Sequence, residues 1–184
     1  MIGFVICSRL KSSRIPRKAL KPINGKPLLN HLLDRLNQTG LRSYLAVPEE
    51  EVYEYLDLYD DFHDSGDFIS AGQVILYGGS ESDPLRRMYD TAKRFGLKKV
   101  IRVTHDKIFI DPDCVKMALS TFMQKNLDYL YSTHFTDGSA FEIISIEALE
   151  RAINRFKDVE HISYAIRAVT DNMLDWEVPV AHRS

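Results

Sequence analysis

A short apolar run, Ile2 to Cys7, opens the chain and gives way at once to a polar, basic loop. An apolar run without polar alternation is what a strand covered on both faces looks like, and such strands belong to parallel sheets. The segment after the loop has helical spacing. Leu28, Leu29, Leu32, Leu33 and Leu36 form one apolar stripe, Pro27 suits the first turn, and Gly40 marks the stop. The order of strand, loop and helix then recurs. Ser43 to Val47 reads as a strand, and Pro48 with the glutamates behind it reads as a helix start, acids being favoured at that positive end. Gln73 to Tyr77 is the next expected strand. Asp83-Pro84 opens a helix carrying Leu85, Met88, Tyr89, Ala92 and Phe95. Lys99 to Thr104 is another buried strand, and Asp111-Pro112 opens a helix with the stripe Val115, Ala118, Leu119 and Phe122. Leu127 to Ser132 and Phe141 to Ser145 read as strands, Ile146 to Phe156 and His161 to Thr170 as helices, and Trp176 to Val180 as a last short strand. Between them, the acidic stretch 57–72 reads as a surface loop with a short helix. The alternation predicts an α/β fold, a mostly parallel sheet with helices on both faces. Ligands of such sheets bind beyond the carboxyl ends of the strands, which directs attention to the loops after Cys7 and Thr104.

A chain of 184 residues with 45% hydrophobic content can bury its own core as a single domain, 1–184. Its two cysteines, Cys7 and Cys114, lie far apart and form no CxxC pair, so neither a disulfide framework nor a cysteine zinc site is expected. The apolar run precedes the basic segment, the reverse of a secretory leader, and no stretch reaches the roughly 20 apolar residues of a membrane helix. A cytoplasmic protein without a membrane partner is the expectation. A net charge of -2 carries no global signal for nucleic acid. The charge is unevenly spread, however. Arg9 to Lys26 holds seven Lys or Arg residues and no acid, while Tyr44 to Leu85 holds eleven acids and no Lys or Arg. A one-sign cluster in a near-neutral chain points to a local anionic partner.

The loop itself reads Ser8-Arg9-Leu10-Lys11-Ser12-Ser13-Arg14-Ile15-Pro16-Arg17-Lys18. It leaves the end of a buried strand and offers several cations, hydroxyls and backbone N–H groups, the set that a polyphosphate demands. Gly25-Lys26 is followed by Pro27, so there is no GxxxxGK[ST] loop, and no GxGxxG fingerprint occurs. Three readings of the cluster stand side by side: a phosphate grip, a solvated basic surface, and a patch for nucleic acid. The last lacks interleaved aromatics for stacking.

The stretch from Ile2 to Leu36 resembles the opening of the sugar-activating cytidylyltransferases, the CMP-KDO and CMP-sialic acid synthetases and, most of all, the spore-coat polysaccharide F-type proteins. Their pattern is a strand, then ARxxSxRxPxK, then GKP before a helix. Arg9, Ser12, Arg14, Pro16 and Lys18 stand at the matching spacings, followed by Gly25-Lys26-Pro27, with Ser8 in place of the usual Ala and Cys7 where Pro is frequent. The resemblance implies a nucleotide-diphospho-sugar transferase fold, a Rossmann-like three-layer α/β/α sandwich. It also implies contacts of Arg9 and Lys18 with the triphosphate of CTP, with Ser8, Ser12, Arg14, Arg87 and Thr104 as further nucleotide-binding candidates.

The stretch Arg102 to Pro112 is similar to the family's RxTxDxPLxDP segment, which implies that Asp106 binds Mg²⁺, with Ile108 in place of the family's Pro. On its residues alone Asp106 is ambiguous between a turn former and a ligand, whereas Asp111 before Pro112 reads as a helix N-cap. His105 reads as a substrate contact or a polar surface residue rather than a ligand. Gly79 to Arg87 resembles GSxxDxLxR, although Asp83 would cap a helix in any case. Asp137 to Glu142 aligns with a GLDVE-like segment whose Asp falls at Ala140, leaving Glu142 as a second metal contact or a substrate contact. Glu160-His161-Ile162-Ser163-Tyr164 resembles EHVT-Y, which implies His161 near the acceptor sugar. The spore-coat members also extend further beyond Trp176. The activity implied is Mg²⁺-dependent transfer of CMP from CTP to an acidic or modified sugar for surface polysaccharide or glycan biosynthesis. Arg9, Lys18 and Asp106 would carry it, in a protein that forms a homodimer as its relatives commonly do. The alternative is a catalytically reduced homologue that binds a nucleotide or a sugar nucleotide.

Overall fold

The computed structural model describes residues 1–11, 15–56, 63–64, 69–71, 74–159 and 161–178. Eleven strands, some of only two residues, and six α-helices account for most of the described chain. β1 (Ile2–Cys7), β4 (Ser43–Pro48), β7 (Val74–Gly79) and β8 (Lys99–Thr104) form the parallel centre of a nine-stranded sheet ordered β11-β9-β10-β8-β1-β4-β7-β6-β5. β9 (Tyr129–Tyr131) and β11 (Met173–Asp175) pair in parallel at one edge, and β10 (Glu142–Ser145) enters antiparallel between β9 and β8. β5 (His63–Asp64) and β6 (Ile69–Ala71) pair at the other edge, within the stretch expected as a loop. β2 (Pro22–Ile23) and β3 (Lys26–Pro27) form a separate ribbon ahead of the first helix.

Two cores follow from the two-residue period of the strands. Phe4 and Ile6 of β1, Leu45 and Val47 of β4, and Ile101 and Val103 of β8 face α1 (Leu28–Asn37), α2 (Val52–Leu56) and α4 (Pro112–Gln124). Val5, Tyr44, Ala46 and Val100 face α3 (Pro84–Arg94), α5 (Ile146–Arg155) and α6 (Ile162–Arg167). This is the expected three-layer sandwich. The Asp-Pro starts work as read: Asp83 accepts from Arg86 N at 2.9 Å, and Asp111 accepts from Asp113 N at 2.8 Å, each ahead of a proline that has no N–H to leave unpaired.

The last described strand lies ahead of its expected place at 176–180, of which 179 and 180 are outside the described residues. Met173–Asp175 pairs with Tyr129–Tyr131, and Trp176 leaves the ladder after donating its N–H to Tyr131 O at 2.7 Å. The indole is buried, with Phe135 alongside, so the apolar residue expected to start a strand instead closes the core.

The order of the central strands sets the position of the site. From β1 the chain moves out to β4 and β7 on one side, then crosses back so that β8 pairs with the other side of β1. The carboxyl ends of β1 and β8, where Cys7 is in register with Thr104, therefore flank a topological switch point.

Candidate active site

The basic loop is held from below by an acid. Glu51 lies in the short 3₁₀ turn Glu49–Glu51 after β4 and is buried. Its carboxylate accepts from Leu10 N at 2.6 Å and from Lys11 N at 3.2 Å, while the Leu10 side chain is buried in the core. Two of the N–H groups expected to serve a phosphate are thus spent on fixing the loop. The acidic stretch also takes up part of the cationic run. Lys11 pairs with Glu81 at 2.6 Å and with Glu50 at 3.5 Å, and Arg17 pairs with Glu54. Arg9 makes no ion pair among the described residues and lines a cavity of about 520 Å³ together with Ser8, Arg87, Arg102, Thr104, His105 and Asp106.

Lys18 begins a second short turn, Lys18–Leu20, anchored by the buried Ala19. Its Nζ lies 2.9 Å from Asp106 Oδ2, joining the basic loop to the end of β8. Thr104 Oγ1 donates to Asp106 Oδ1 at 2.7 Å. Burial works against ionisation of Asp106, but the hydrogen bonds from Thr104 and Lys18, with the charge of Lys18, outweigh it and hold the carboxyl down at about 2. Ser8 is buried. Its hydroxyl lies 2.6 Å from Tyr55 Oη and 3.1 Å from His105 Nδ1, so it ties the end of β1 to α2 and to the loop after β8. Burial keeps His105 below the usual imidazole range, with Asp106 opposing the shift. Arg87 is buried against this cavity, its Nη1 donating to Ser80 O and its Nε without a hydrogen-bond partner among the described residues. The expected sites Ser8, Arg9, Arg87, Thr104 and Asp106 therefore share one cavity, and Lys18 is bound to its rim. Ser12 and Arg14 lie outside the described residues, as does Glu160.

A second cavity, about 330 Å³, shares Arg102 and Thr104 with the first. It is also lined by Lys107, Tyr131, Ser132, Ala140, Glu142, Ser163 and Arg167. Glu142, expected as a second metal contact or a substrate contact, is surrounded here by protein groups. Its carboxylate forms an ion pair with Arg102 and accepts from the Tyr129 hydroxyl and from Ser163 Oγ, the latter at 2.6 Å. A cation at Glu142 would have to displace Arg102, and Glu142 does not line the cavity of Asp106. Burial opposes its ionisation, yet Arg102, Ser163 and Tyr129 together hold it below the usual carboxylate range. The resemblance implies a place for His161 near the acceptor sugar. The residue is exposed at the start of α6 with its ring against Tyr164, centroids 6.0 Å apart, and it lines neither cavity, although Ile162 lines the first and Ser163 the second.

No group of three or more carboxylate, imidazole or thiol side chains converges among the described residues. A lone Asp106, braced by Thr104, suits a cation that takes most of its coordination shell from phosphates and water, as Mg²⁺ does.

A doubly wound sheet that gathers fixed cations and a carboxylate at its switch point is a nucleotidyltransferase-type architecture. The chain belongs to the cytidylyltransferase family: the family's model, described as cytidylyltransferase, matches residues 4–168. An 8-amino-3,8-dideoxy-manno-octulosonate cytidylyltransferase of Shewanella sp. (strain ANA-3) is 29% identical over 126 residues, covering 66% of this chain and 47% of that protein. The protein of the same name from Shewanella baltica (strain OS155 / ATCC BAA-1091) is 25% identical over 170 residues, covering 90% of this chain and 63% of its own. The chain thus spans between about half and two thirds of the length of these curated relatives. The solved cytidylyltransferase from Leptospira borgpetersenii superimposes with a TM-score of 0.79 at 22% identity, covering 95% of this chain and 75% of that one. A CMP:2-keto-3-deoxy-manno-octonic acid synthetase complexed with CTP gives 0.70 at 15% identity, covering 96% and 89%. At these identities the structures share the fold with this chain.

Proposed function

We propose that the chain transfers a cytidylyl group from CTP to an acidic or modified sugar with the help of Mg²⁺, supplying an activated sugar for surface polysaccharide or glycan synthesis in the cytoplasm. A sugar hydroxyl attacks the α-phosphorus; the new P–O bond forms as the bond to the β-phosphate oxygen breaks, the hydroxyl proton is released, and pyrophosphate leaves. The observation that carries this reading is the 2.9 Å meeting of Lys18 and Asp106 on the cavity that Arg9 also lines. Arg9 and Lys18 offset charge on the triphosphate, and the braced loop keeps them in position before the substrate arrives. On CTP binding, Lys18 would exchange Asp106 for the phosphates, and the freed Asp106 would hold the metal. Mg²⁺ held by Asp106 would supply positive charge to the α-phosphate and to the departing pyrophosphate.

A second reading rests on Ala140 and Glu142. The resemblance has an aspartate at the first position, and the second is already committed to Arg102. A homologue that binds a nucleotide or sugar nucleotide with little turnover fits that pair. The test combines a thermal-shift screen of nucleoside triphosphates, with and without Mg²⁺, with pyrophosphate release on acidic and amino sugars. Stabilisation by CTP and release on an acidic sugar are expected. CTP binding without release on any sugar favours the second reading, and a chain indifferent to CTP overturns both.

A further inference from the structure

Three polar side chains form a line from the core to the phosphate cavity. Tyr55 and Ser8 are closed to solvent, 0% and 2% exposed, and their hydroxyl oxygens lie 2.6 Å apart. Among the described residues Ser8 Oγ is the one hydrogen-bond partner of Tyr55 Oη. A buried phenol whose proton finds no acceptor costs free energy, so Tyr55 donates to Ser8. The serine has one proton of its own, and its other side-chain contact is His105 Nδ1 at 3.1 Å, so Ser8 donates to the ring. Nδ1 is therefore an acceptor without a hydrogen. An imidazole in that state is neutral and carries its single N–H on Nε2. The reverse direction, from Nδ1–H to Ser8 and from Ser8 to Tyr55, would strand the tyrosine proton in the core. Nε2 makes no hydrogen bond among the described residues, and the ring lines the cavity of Arg9, Arg87 and Asp106. The line is no part of the shared motifs: Ser8 stands where ARxxSxRxPxK has alanine, and RxTxDxPLxDP leaves the position of His105 open.

We propose that His105 is a further nucleotide contact, a neutral donor whose Nε2–H binds a phosphate oxygen of the triphosphate and whose tautomer is fixed by Tyr55 through Ser8. This rests on the reading of the cavity as a CTP site. The cations around it supply charge, whereas a single N–H on a fixed ring supplies direction, and its bond to an ionised oxygen is of the stronger kind. Ser8 and Tyr55 are positioning residues, which act through the ring and do not touch the nucleotide.

The test needs neither metal nor acceptor sugar. Long-range ¹H–¹⁵N spectra of the histidine rings, with the His105 signals assigned by their loss in His105→Gln, should show Nε2 protonated and Nδ1 bare. A proton on Nδ1 overturns the proposal. Tyr55→Phe keeps the ring packing but frees Ser8 to accept, so an Nδ1–H form should appear; an unchanged ring would mean that Tyr55 does not set the tautomer, and the relay falls. Calorimetry then follows CTP and inorganic tripolyphosphate. His105→Leu should weaken both by about 10- to 100-fold, the effect of losing one hydrogen bond to a charged group. His105→Gln, whose amide nitrogen stands near the place of Nε2, should recover much of that loss, and His105→Asn, whose amide reaches only as far as Nδ1, should not. Melting temperatures of the free variants close to the wild type separate a lost contact from a lost fold. No loss in His105→Leu, a loss for CTP without one for tripolyphosphate, or equal recovery by Asn and Gln would each overturn the proposal while a CTP-binding wild type keeps the nucleotide reading standing. A wild type that binds neither probe removes that reading, and the proposal with it.

Discussion

Two carboxylates reach the switch point of the sheet, and each meets a cation, yet the two pairs are built for opposite purposes. Asp106 and Lys18 meet at 2.9 Å with side chains 38% and 37% exposed. Glu142 and Arg102 meet with side chains 13% and 21% exposed, and Glu142 accepts two further hydrogen bonds. An ion pair open to water contributes little to stability, so exchanging one partner for a phosphate costs little. A buried pair whose remaining lone pairs are satisfied resists exchange, because removing one member strands the other charge. Burial and the number of donors, rather than the types of residue, therefore decide which pair can take part in a reaction and which is part of the wall. Sequence motifs carry residue types and spacing. That is why the motifs give Glu142 and Asp106 the same expectation, although the two carboxylates have different surroundings.

The comparison breaks most readily at Glu142. Glu142→Ala should lower unfolding stability by about 3 kcal/mol or more, measured by urea denaturation, since Arg102 loses its counter-charge and Tyr129 and Ser163 lose their acceptor. A loss below about 1 kcal/mol would mean that the pair is exchangeable after all. Asp106→Ala should do the reverse, changing stability by about 1 kcal/mol or less. Pyrophosphate release should fall about 100-fold or more, the effect of losing one electrostatic contact in the transition state. If both variants lose stability alike, the distinction between wall and working pair is wrong.

The difference between the pairs also shows what sequence alone reveals. The alternation of Phe4, Val5 and Ile6 between two cores is legible because a strand turns its side chains with a period of two. Lys18 and Asp106 are legible because long motifs on two strand-end loops carry them, and the topology brings those loops together. Glu51 is not legible: in sequence it is one of three consecutive glutamates, and only its burial beneath Leu10 and Lys11 marks it out. Nor are Arg167 and Tyr131, whose contact depends on how α6 settles against the edge of the sheet. The strand expected at Trp176 fails for a similar reason. An apolar residue after a turn fits a ladder or a core equally well, and pairing of Met173–Asp175 with β9 decides for the core.

A titration sharpens the comparison further. The carboxyl of Asp106 is held at about 2 against an ordinary value of 3.8. Because the folded value is depressed, the contribution of Asp106 to stability is fully present above the ordinary value and is lost as pH falls through about 2. Lys18→Met removes two of the influences that lower it, the hydrogen bond and the charge, and should move the Asp106 carboxyl resonance to a higher midpoint in a ¹³C NMR titration. An unmoved midpoint would mean that Thr104 and His105 hold the value down without Lys18, and that Lys18 is already free of Asp106 in solution.

The smallest effect is expected at Ser163, and it tests whether the wall depends on charge or on the number of donors. Ser163 Oγ lies 2.6 Å from Glu142 Oε1 and 3.4 Å from Arg102 Nη1, so one hydroxyl touches both members of the pair. Ser163→Ala removes a single neutral donor while leaving Arg102 and Tyr129 in place. A loss of about 1 kcal/mol in urea unfolding is expected, with Glu142 drifting upward toward the usual carboxylate range, because one of the bonds that favours its ionised form has gone. A loss close to that of Glu142→Ala would instead mean that the hydroxyl is needed to hold the pair together, and that the buried network stands or falls as one unit rather than resting on the ion pair.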